Sequence, residues 1–146
     1  MKPSFFASDV AAPLAVGSAV YLLWRSSALR VFDWVRALGL GGPLGSAREA
    51  VEGLVIPEIV LYSLPDALWT YALTAFMGRL WRGRVSLGSA PWLGIGVLIG
   101  CGGEGLQAIG LLPGTFDVLD LLLCAAAGLL AFGRSLRREP PSRETQ

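Results

Sequence analysis

The sequence has no histidine, two cysteines and few charged residues. Without histidine the chain lacks the commonest general base and transition-metal ligand, and it cannot form a Ser–His or Cys–His nucleophile pair. Cys101 and Cys124 lie in apolar runs without CxxC spacing, so we interpret them as packing residues, with a disulfide between neighbouring helices as the alternative. Charged residues make up 16% of the chain, whereas soluble domains carry roughly 25%. This shortage indicates that lipid is the solvent for much of the chain.

The sequence is rich in apolar residues, which occur in long runs. Apolar residues account for 53% of the 146 residues, and the mean hydropathy is +0.58. Runs of about 20 residues can cross a bilayer. We therefore predict an all-α, polytopic membrane protein. Residues 1–133 are expected to form one bundle of four transmembrane helices, and residues 134–146 a disordered cytoplasmic tail. The four predicted spans cover about residues 5–24, 64–81, 91–112 and 115–133.

The segment between the first two predicted spans has a different pattern. Residues 26–40 place Arg30, Asp33 and Arg36 on one side and apolar residues around the rest, which predicts an interfacial amphipathic helix. The glycine-rich stretch over residues 39–45 is expected to end it, and the capping-box spacing at Ser46 predicts a new helix start there. Residues 51–64 are too short to span comfortably, so we expect a re-entrant or interfacial segment.

Arginine distribution predicts the orientation of the bundle. Arginines cluster after the second and the fourth predicted spans, while the connection between the third and fourth spans has neither lysine nor arginine. Positive charge in short loops marks the cytoplasmic side, so we predict that both termini are cytoplasmic. The arginines of the long first loop oppose this orientation, but they are balanced by acidic residues in the same loop. The two clusters are Arg79, Arg82 and Arg84, and Arg134, Arg137 and Arg138.

Polar side chains in the last two predicted spans form one row on each helix. Charged groups at membrane depth are costly and need a partner or a function. Residues three or four apart share a helix face, and alternating helix direction brings the start of the second span to the same end of the bundle. We expect an outward-facing acidic pocket there. Its residues are Asp66, Glu104, Gln107, Asp117 and Asp120.

Four interpretations of this pocket remain open. Asp66 and Asp117 can act as helix caps, and the deeper carboxylates can pair with arginines of the first loop. Oxygen ligands also suit Mg²⁺ or Ca²⁺, with Glu104 and Asp120 as the metal ligands if there are any. Crowded carboxylates can instead form a substrate or proton site. Small residues, which allow close helix packing, continue the same two rows at Gly96, Gly100 and Gly128.

The segment from Leu64 to Gly133 resembles the VanZ-like family of small bacterial membrane proteins. The family pattern, roughly E-x-x-Q, a turn and F-D-x-x-D, is matched by Glu104, Gln107, Phe116, Asp117 and Asp120, with the later glycine at Gly128 and a proline–aspartate motif at Pro65-Asp66. The histidine that usually follows that motif is absent, and Cys124 stands where the family usually has asparagine. The resemblance implies a multi-pass protein of the bacterial cytoplasmic membrane, in a family whose founding member is associated with resistance to the glycopeptide teicoplanin.

The function we expect is that of a cell-envelope protein binding a lipid-linked or antibiotic-like ligand, or a cation, at the acidic pocket. The alternative is a structural membrane subunit that packs on a larger complex through its glycine-rich third span, at Gly96 and Gly100. A metal-dependent enzyme acting on lipid phosphates ranks last, because no histidine or clear nucleophile is present. Membrane lipids are expected partners, and no pattern indicates nucleic-acid recognition.

Overall fold

A computed structural model describes residues 6–82, 84–112 and 115–136 of the chain. Pro113 and Gly114, which separate the third and fourth predicted spans, and residues 137–146 of the predicted tail lie outside these ranges. Within them the protein is all helical, which confirms the all-α prediction. A π-helical segment, Phe6–Ala11, leads directly into the first of seven α-helices. These are α1 (Ala12–Trp24), α2 (Arg30–Ala37), α3 (Gly41–Val51), α4 (Glu58–Tyr62), α5 (Leu64–Leu80), α6 (Ala90–Ala108) and α7 (Val118–Leu136).

Two helical stretches in the described ranges are long and apolar enough to cross a membrane: Phe6–Trp24 and Val118–Leu136. The other two predicted spans correspond to α5 and α6. α5 has 17 residues, and α6 contains Glu104 and Gln107, which lower its hydropathy. The sequence prediction of four spans is therefore supported for the first and last helices.

α5 is the central helix, because α1, α6 and α7 all pack on it. Val10, early in the first helix, packs beside Ala75 late in α5. Further along the first helix, a Cβ atom on Gly17 would lie 3.2 Å from the carbonyl oxygen of Pro65 at the start of α5. The first helix therefore runs antiparallel to α5. α5 accepts neighbours on several sides because its buried positions are almost all small. They are Pro65, Ala67, Thr70, Ala72, Thr74, Ala75 and Gly78.

A glycine in the left-handed conformation ends α6. Gly110 has a φ of +73°. The N–H of Leu111 donates to the carbonyl oxygen of Leu106 at 2.9 Å, and the N–H of Gly110 donates to the carbonyl oxygen of Gln107 at 3.0 Å. This is a Schellman ending, which needs a residue in the left-handed region. α6 therefore ends at Ala108, four residues before the predicted end near Leu112.

The region between α1 and α5 differs from the sequence prediction in one place. The amphipathic helix is present as α2, and Gly39, with a φ of +75°, ends it. The next helix, however, begins at Gly41, so the prediction of a start at Ser46 is wrong. Pro43 lies in the first turn of α3, where its missing N–H has no intrahelical partner to lose.

Arg48 anchors α3 to the end of α1. Its guanidinium donates to the carbonyl of Arg25 at 2.7 Å and to that of Leu22 at 3.4 Å. The last carbonyls of a helix lack intrahelical partners, and a cation at this end also interacts favourably with the helix dipole. The loop segment is thereby held at the end of the bundle where α5 and α7 begin.

Candidate functional site

A cavity of about 240 Å³ lies between α5 and α6, with α7 closing one side. Three of the five predicted pocket residues lie on its wall: Asp66 from the start of α5, and Glu104 and Gln107 from the end of α6. The antiparallel packing of α5 and α6 brings these ends together. The remaining wall residues are Trp69, Thr70, Leu73, Gly96, Ile99, Gly100, Gly103 and Cys124.

Glu104 is the most buried acidic residue of this cavity, with 9% of its surface exposed. Its Oε2 accepts a hydrogen bond from the backbone N–H of Asp117 at 3.1 Å. Asp117 in turn accepts the N–H of Leu119 on its Oδ1 at 2.8 Å, so Asp117 caps the start of α7. Glu104 therefore joins the end of α6 to the start of α7. Of the four interpretations of the acidic residues, helix capping accounts for Asp117.

Asp66 occupies the first turn of α5, where the helix dipole favours a carboxylate. It lies within electrostatic range of Glu104 and Asp120, and Arg25 is a positively charged neighbour. Two further carboxylates and one guanidinium therefore lie close enough to Asp66 to interact with it electrostatically.

Asp117 and Asp120 are not on the cavity wall. Asp117 is exposed at the start of α7, and Asp120 lies one turn further along that helix. The Oδ1 atom of Asp120 is buried without a hydrogen-bond partner among the described residues. The structure thus places Asp66, Glu104 and Gln107 together, with Asp117 and Asp120 behind them on α7.

The loop arginines mostly have other partners. Arg36 pairs with Asp33 within α2, and Arg48 binds the carbonyls at the end of α1. The guanidinium of Arg25 lies over the rings of Tyr62, at 4.7 Å, and Tyr21, at 5.5 Å. In the described ranges no salt bridge joins the pocket carboxylates to a loop arginine, that is, to Arg25, Arg30, Arg36 or Arg48. Arg25 contributes charge to the site at longer range.

Among the residues that the structure describes, no three Asp, Glu or Cys side chains are grouped as metal ligands. Glu104 uses one carboxylate oxygen for the Asp117 N–H, and Asp120 lies off the cavity wall. Both cysteines are free thiols, and Cys124 is 1% exposed. The proposed Mg²⁺ or Ca²⁺ site remains a sequence prediction.

Gly96, Gly100 and Gly128, the predicted packing glycines, lie against other helices of this chain. A Cβ atom on Gly96 would lie 3.0 Å from the carbonyl oxygen of Thr70 and would overlap the hydroxyl of Thr74. A Cβ on Gly100 would overlap the hydroxyl of Thr70, and one on Gly128 would overlap Val97. Gly96 and Gly100 thus face α5, Cys124 of α7 also lies beside Gly100, and Gly128 of α7 faces Val97 of α6.

Sequence reasoning missed the threonines of α5. Thr70 lines the cavity and is 4% exposed, and Thr74 is 1% exposed. Their four-residue spacing, continued by Gly78, repeats the small-residue pattern that identified Gly96 and Gly100. Trp69 was also missed as a wall residue; its indole N–H donates to the hydroxyl of Ser18 at 3.3 Å, which fixes the ring between α1 and the cavity.

Comparisons of the chain with family models, with curated proteins and with solved structures find no match.

Proposed function

We propose that this chain is a VanZ-like integral membrane protein of the bacterial cell envelope that binds a ligand or a cation in the acidic cavity between α5 and α6. The observation that carries the proposal is the cavity itself, whose wall combines Asp66, Glu104 and Gln107 with Trp69 and aliphatic side chains. Ligand sites are typically concave and mainly apolar, with a few converging polar groups.

The membrane part of the proposal is a four-span bundle in the cytoplasmic membrane with both termini in the cytoplasm. Two apolar helices of spanning length support it, and α5 and α6 pack beside them. The start of the first helix meets the end of the last, where Arg134 bonds Asp9 at 3.0 Å. An even number of crossings would bring these ends together. The arginines after α5 and α7 then favour the cytoplasm for that end, so the cavity opens outward.

The chemistry of the ligand is proposed from charge. The carboxylates of Asp66, Glu104 and Asp120 outnumber the Arg25 guanidinium at this end of the bundle. The cavity volume of about 240 Å³ exceeds that of a bare metal ion and suits a small organic group or part of a larger molecule. A positively charged part of an envelope ligand would gain from the carboxylates and from the face of Trp69.

The link to glycopeptides comes from the sequence resemblance to VanZ-like proteins. It is tested by the teicoplanin sensitivity of a strain lacking the gene, complemented by the wild type or by Asp66→Asn, Glu104→Gln or Asp120→Asn at matched membrane levels. Glu104→Gln keeps an oxygen for the Asp117 N–H, so it removes charge with little change in shape. Glu58→Gln on exposed α4 is the control.

We expect the wild type and Glu58→Gln to restore resistance, and the variants of Asp66 and Glu104 on the cavity wall and of Asp120 behind it to fail. Calorimetric titration of the purified protein with teicoplanin, MgCl₂ and CaCl₂ then distinguishes an antibiotic ligand from a metal. Equal rescue by all variants would mean that the acidic cavity has no part in this phenotype. Heat of binding that is unchanged in Glu104→Gln and Asp66→Asn would place any ligand elsewhere on the protein.

A further inference from the structure

The guanidinium of Arg25 is held between two aromatic rings at the end of α1. It lies 4.7 Å from the ring centroid of Tyr62 and 5.5 Å from that of Tyr21. The carbonyl oxygen of the same residue accepts a hydrogen bond from Arg48 at 2.7 Å, which fixes the backbone at this point. Cation–π contacts hold a guanidinium in place through the faces of the rings. Arg25 is therefore positioned while its N–H donors are kept for another partner.

One of these donors has no acceptor in the described part of the chain. The Nε atom of Arg25 is buried without a hydrogen-bond partner there, and so is the indole Nε1 of the preceding Trp24. Buried polar groups are nearly always hydrogen-bonded, so such donors need an explanation. Arg25 as a whole is only half-buried, so an acceptor from outside the chain can reach its guanidinium. The planar, paired donors of a guanidinium match the oxygens of a phosphate or a carboxylate.

Arg25 lies beside the acidic cavity. The Tyr21 ring next to it packs on Trp69, with the ring centroids 5.2 Å apart, and Trp69 forms part of the cavity wall. Arg25 is also within electrostatic range of Asp66 on that wall. In the described ranges the two residues form no salt bridge. A ligand of the cavity can therefore meet the carboxylate and the guanidinium as two separate charges.

The place of Arg25 in the chain favours a phosphate as its acceptor. Arg25 directly follows Phe6–Trp24, the first helical stretch that is long and apolar enough to cross a membrane. Arginines near the ends of such helices extend their charged groups into the headgroup layer of the bilayer. Phosphates of lipid headgroups are the anions that a guanidinium meets at this depth.

We propose that Arg25 binds the phosphate of a zwitterionic ligand whose ammonium group lies in the acidic cavity, the chemistry of an ethanolamine phospholipid headgroup. The ammonium half rests on the proposed function, which places a positively charged group beside Asp66 and Glu104. The phosphate half adds a second charge to the ligand and names the residue that recognises it. Soluble phosphoethanolamine carries the same two groups, so a lipid headgroup and a free metabolite share this chemistry.

The test is calorimetric titration of the full-length protein in detergent micelles with phosphoethanolamine, ethanolamine and inorganic phosphate. The variants are Arg25→Gln, Arg25→Lys, Tyr62→Leu and Glu104→Gln, and Arg30→Gln removes an exposed arginine of α2 as the control. Tyr62 is 49% exposed, so its replacement takes one ring from Arg25 without opening the core. Thermal unfolding of each variant checks that it is folded.

We expect the wild type and Arg30→Gln to bind phosphoethanolamine on the order of tenfold or more tightly than ethanolamine, the effect of a hydrogen bond to a charged group. Arg25→Gln should lower the phosphoethanolamine affinity to that of ethanolamine without weakening ethanolamine binding. Arg25→Lys and Tyr62→Leu should show smaller losses, because lysine lacks the paired donors and a guanidinium with one ring is less well ordered. Glu104→Gln should weaken the binding of both ammonium compounds.

Equal phosphoethanolamine affinity in the wild type and Arg25→Gln, with ethanolamine still bound, would overturn the phosphate site and leave the acidic cavity as a cation site. No ethanolamine binding, or ethanolamine binding unchanged in Glu104→Gln, would instead refute the ammonium site of the proposed function.

Lipids added to the micelles distinguish the two sources of the zwitterion. Loss of the phosphoethanolamine signal with phosphatidylethanolamine, but not with phosphatidylglycerol, would identify a lipid headgroup as the ligand. Competition by neither lipid would identify the soluble zwitterion. Equal competition by both lipids would overturn the proposal, because phosphatidylglycerol has the phosphate without the ammonium group.

Discussion

Replacing Gly96 by alanine is the sharpest test of how α6 packs on α5. A Cβ atom at this position would lie 3.0 Å from both the carbonyl oxygen of Thr70 and the backbone nitrogen of Thr74, and it would overlap the Thr74 hydroxyl. Two of these three neighbours are backbone atoms, which cannot rotate away. The helices must therefore move apart to accommodate a single methyl group.

The matched control is Gly102→Ala on the same helix. A Cβ atom on Gly102 would have no neighbour within 4 Å, so this substitution adds a methyl group without a clash. Both substitutions gain the same intrinsic helix preference of alanine over glycine, about 1 kcal/mol. The difference between the two variants therefore isolates the cost of the tight contact.

We expect Gly96→Ala to be less stable than Gly102→Ala by about 1–3 kcal/mol, the usual cost of overpacking a core. For a chain of this size each kcal/mol corresponds to about 2–4 °C in Tm. The assay is thermal unfolding of both purified variants in the same detergent. Equal Tm values would refute the close packing of α6 on Thr70 and Thr74.

Two further predictions concern the ends of the helices. Asp117→Ala should lower the free energy of unfolding by about 1 kcal/mol, because it removes the oxygen that accepts the Leu119 N–H. Asp117→Asn keeps an oxygen at this position and should cost less. Thermal unfolding measures both variants, and equal losses would contradict the cap. Alkaline phosphatase fused after Gly110 should be active and the same fusion after Leu136 inactive, because the proposed topology places the α6–α7 connection outside and the end of α7 in the cytoplasm. Activity after Leu136 would contradict that orientation.

The sequence predicted the features that depend on local pattern. Helix starts at α5 and α6 follow from proline in the first turn, at Pro65 and Pro91, where a missing N–H costs nothing. Chain direction alone predicts that the start of α5, the end of α6 and the start of α7 share one end of the bundle. That rule was sufficient to group Asp66 with Glu104 and Gln107 before any contact was known.

Helix ends that depend on glycine were predicted less well. Gly110 can continue a helix or adopt the left-handed conformation that ends one, and the apolar residues that follow favoured continuation. Similarly, Gly41 and Gly42 suggested a loop, but α3 begins there, and Arg48 secures that helix to the end of α1. The contact that holds α3 in place joins residues 23 apart, so no local pattern contains it.

The sequence by itself predicted the all-helical class, because helices satisfy the backbone hydrogen bonds of long apolar runs with few charges within each segment. Only the tertiary structure decided which helix is central. α5 holds that place because its small buried residues admit α1, α6 and α7 together, and this depends on contacts between distant segments. The same is true of Asp9 and Arg134: each is an ordinary charge near a helix end in the sequence, and only the packing of the first and last helices on α5 makes them partners.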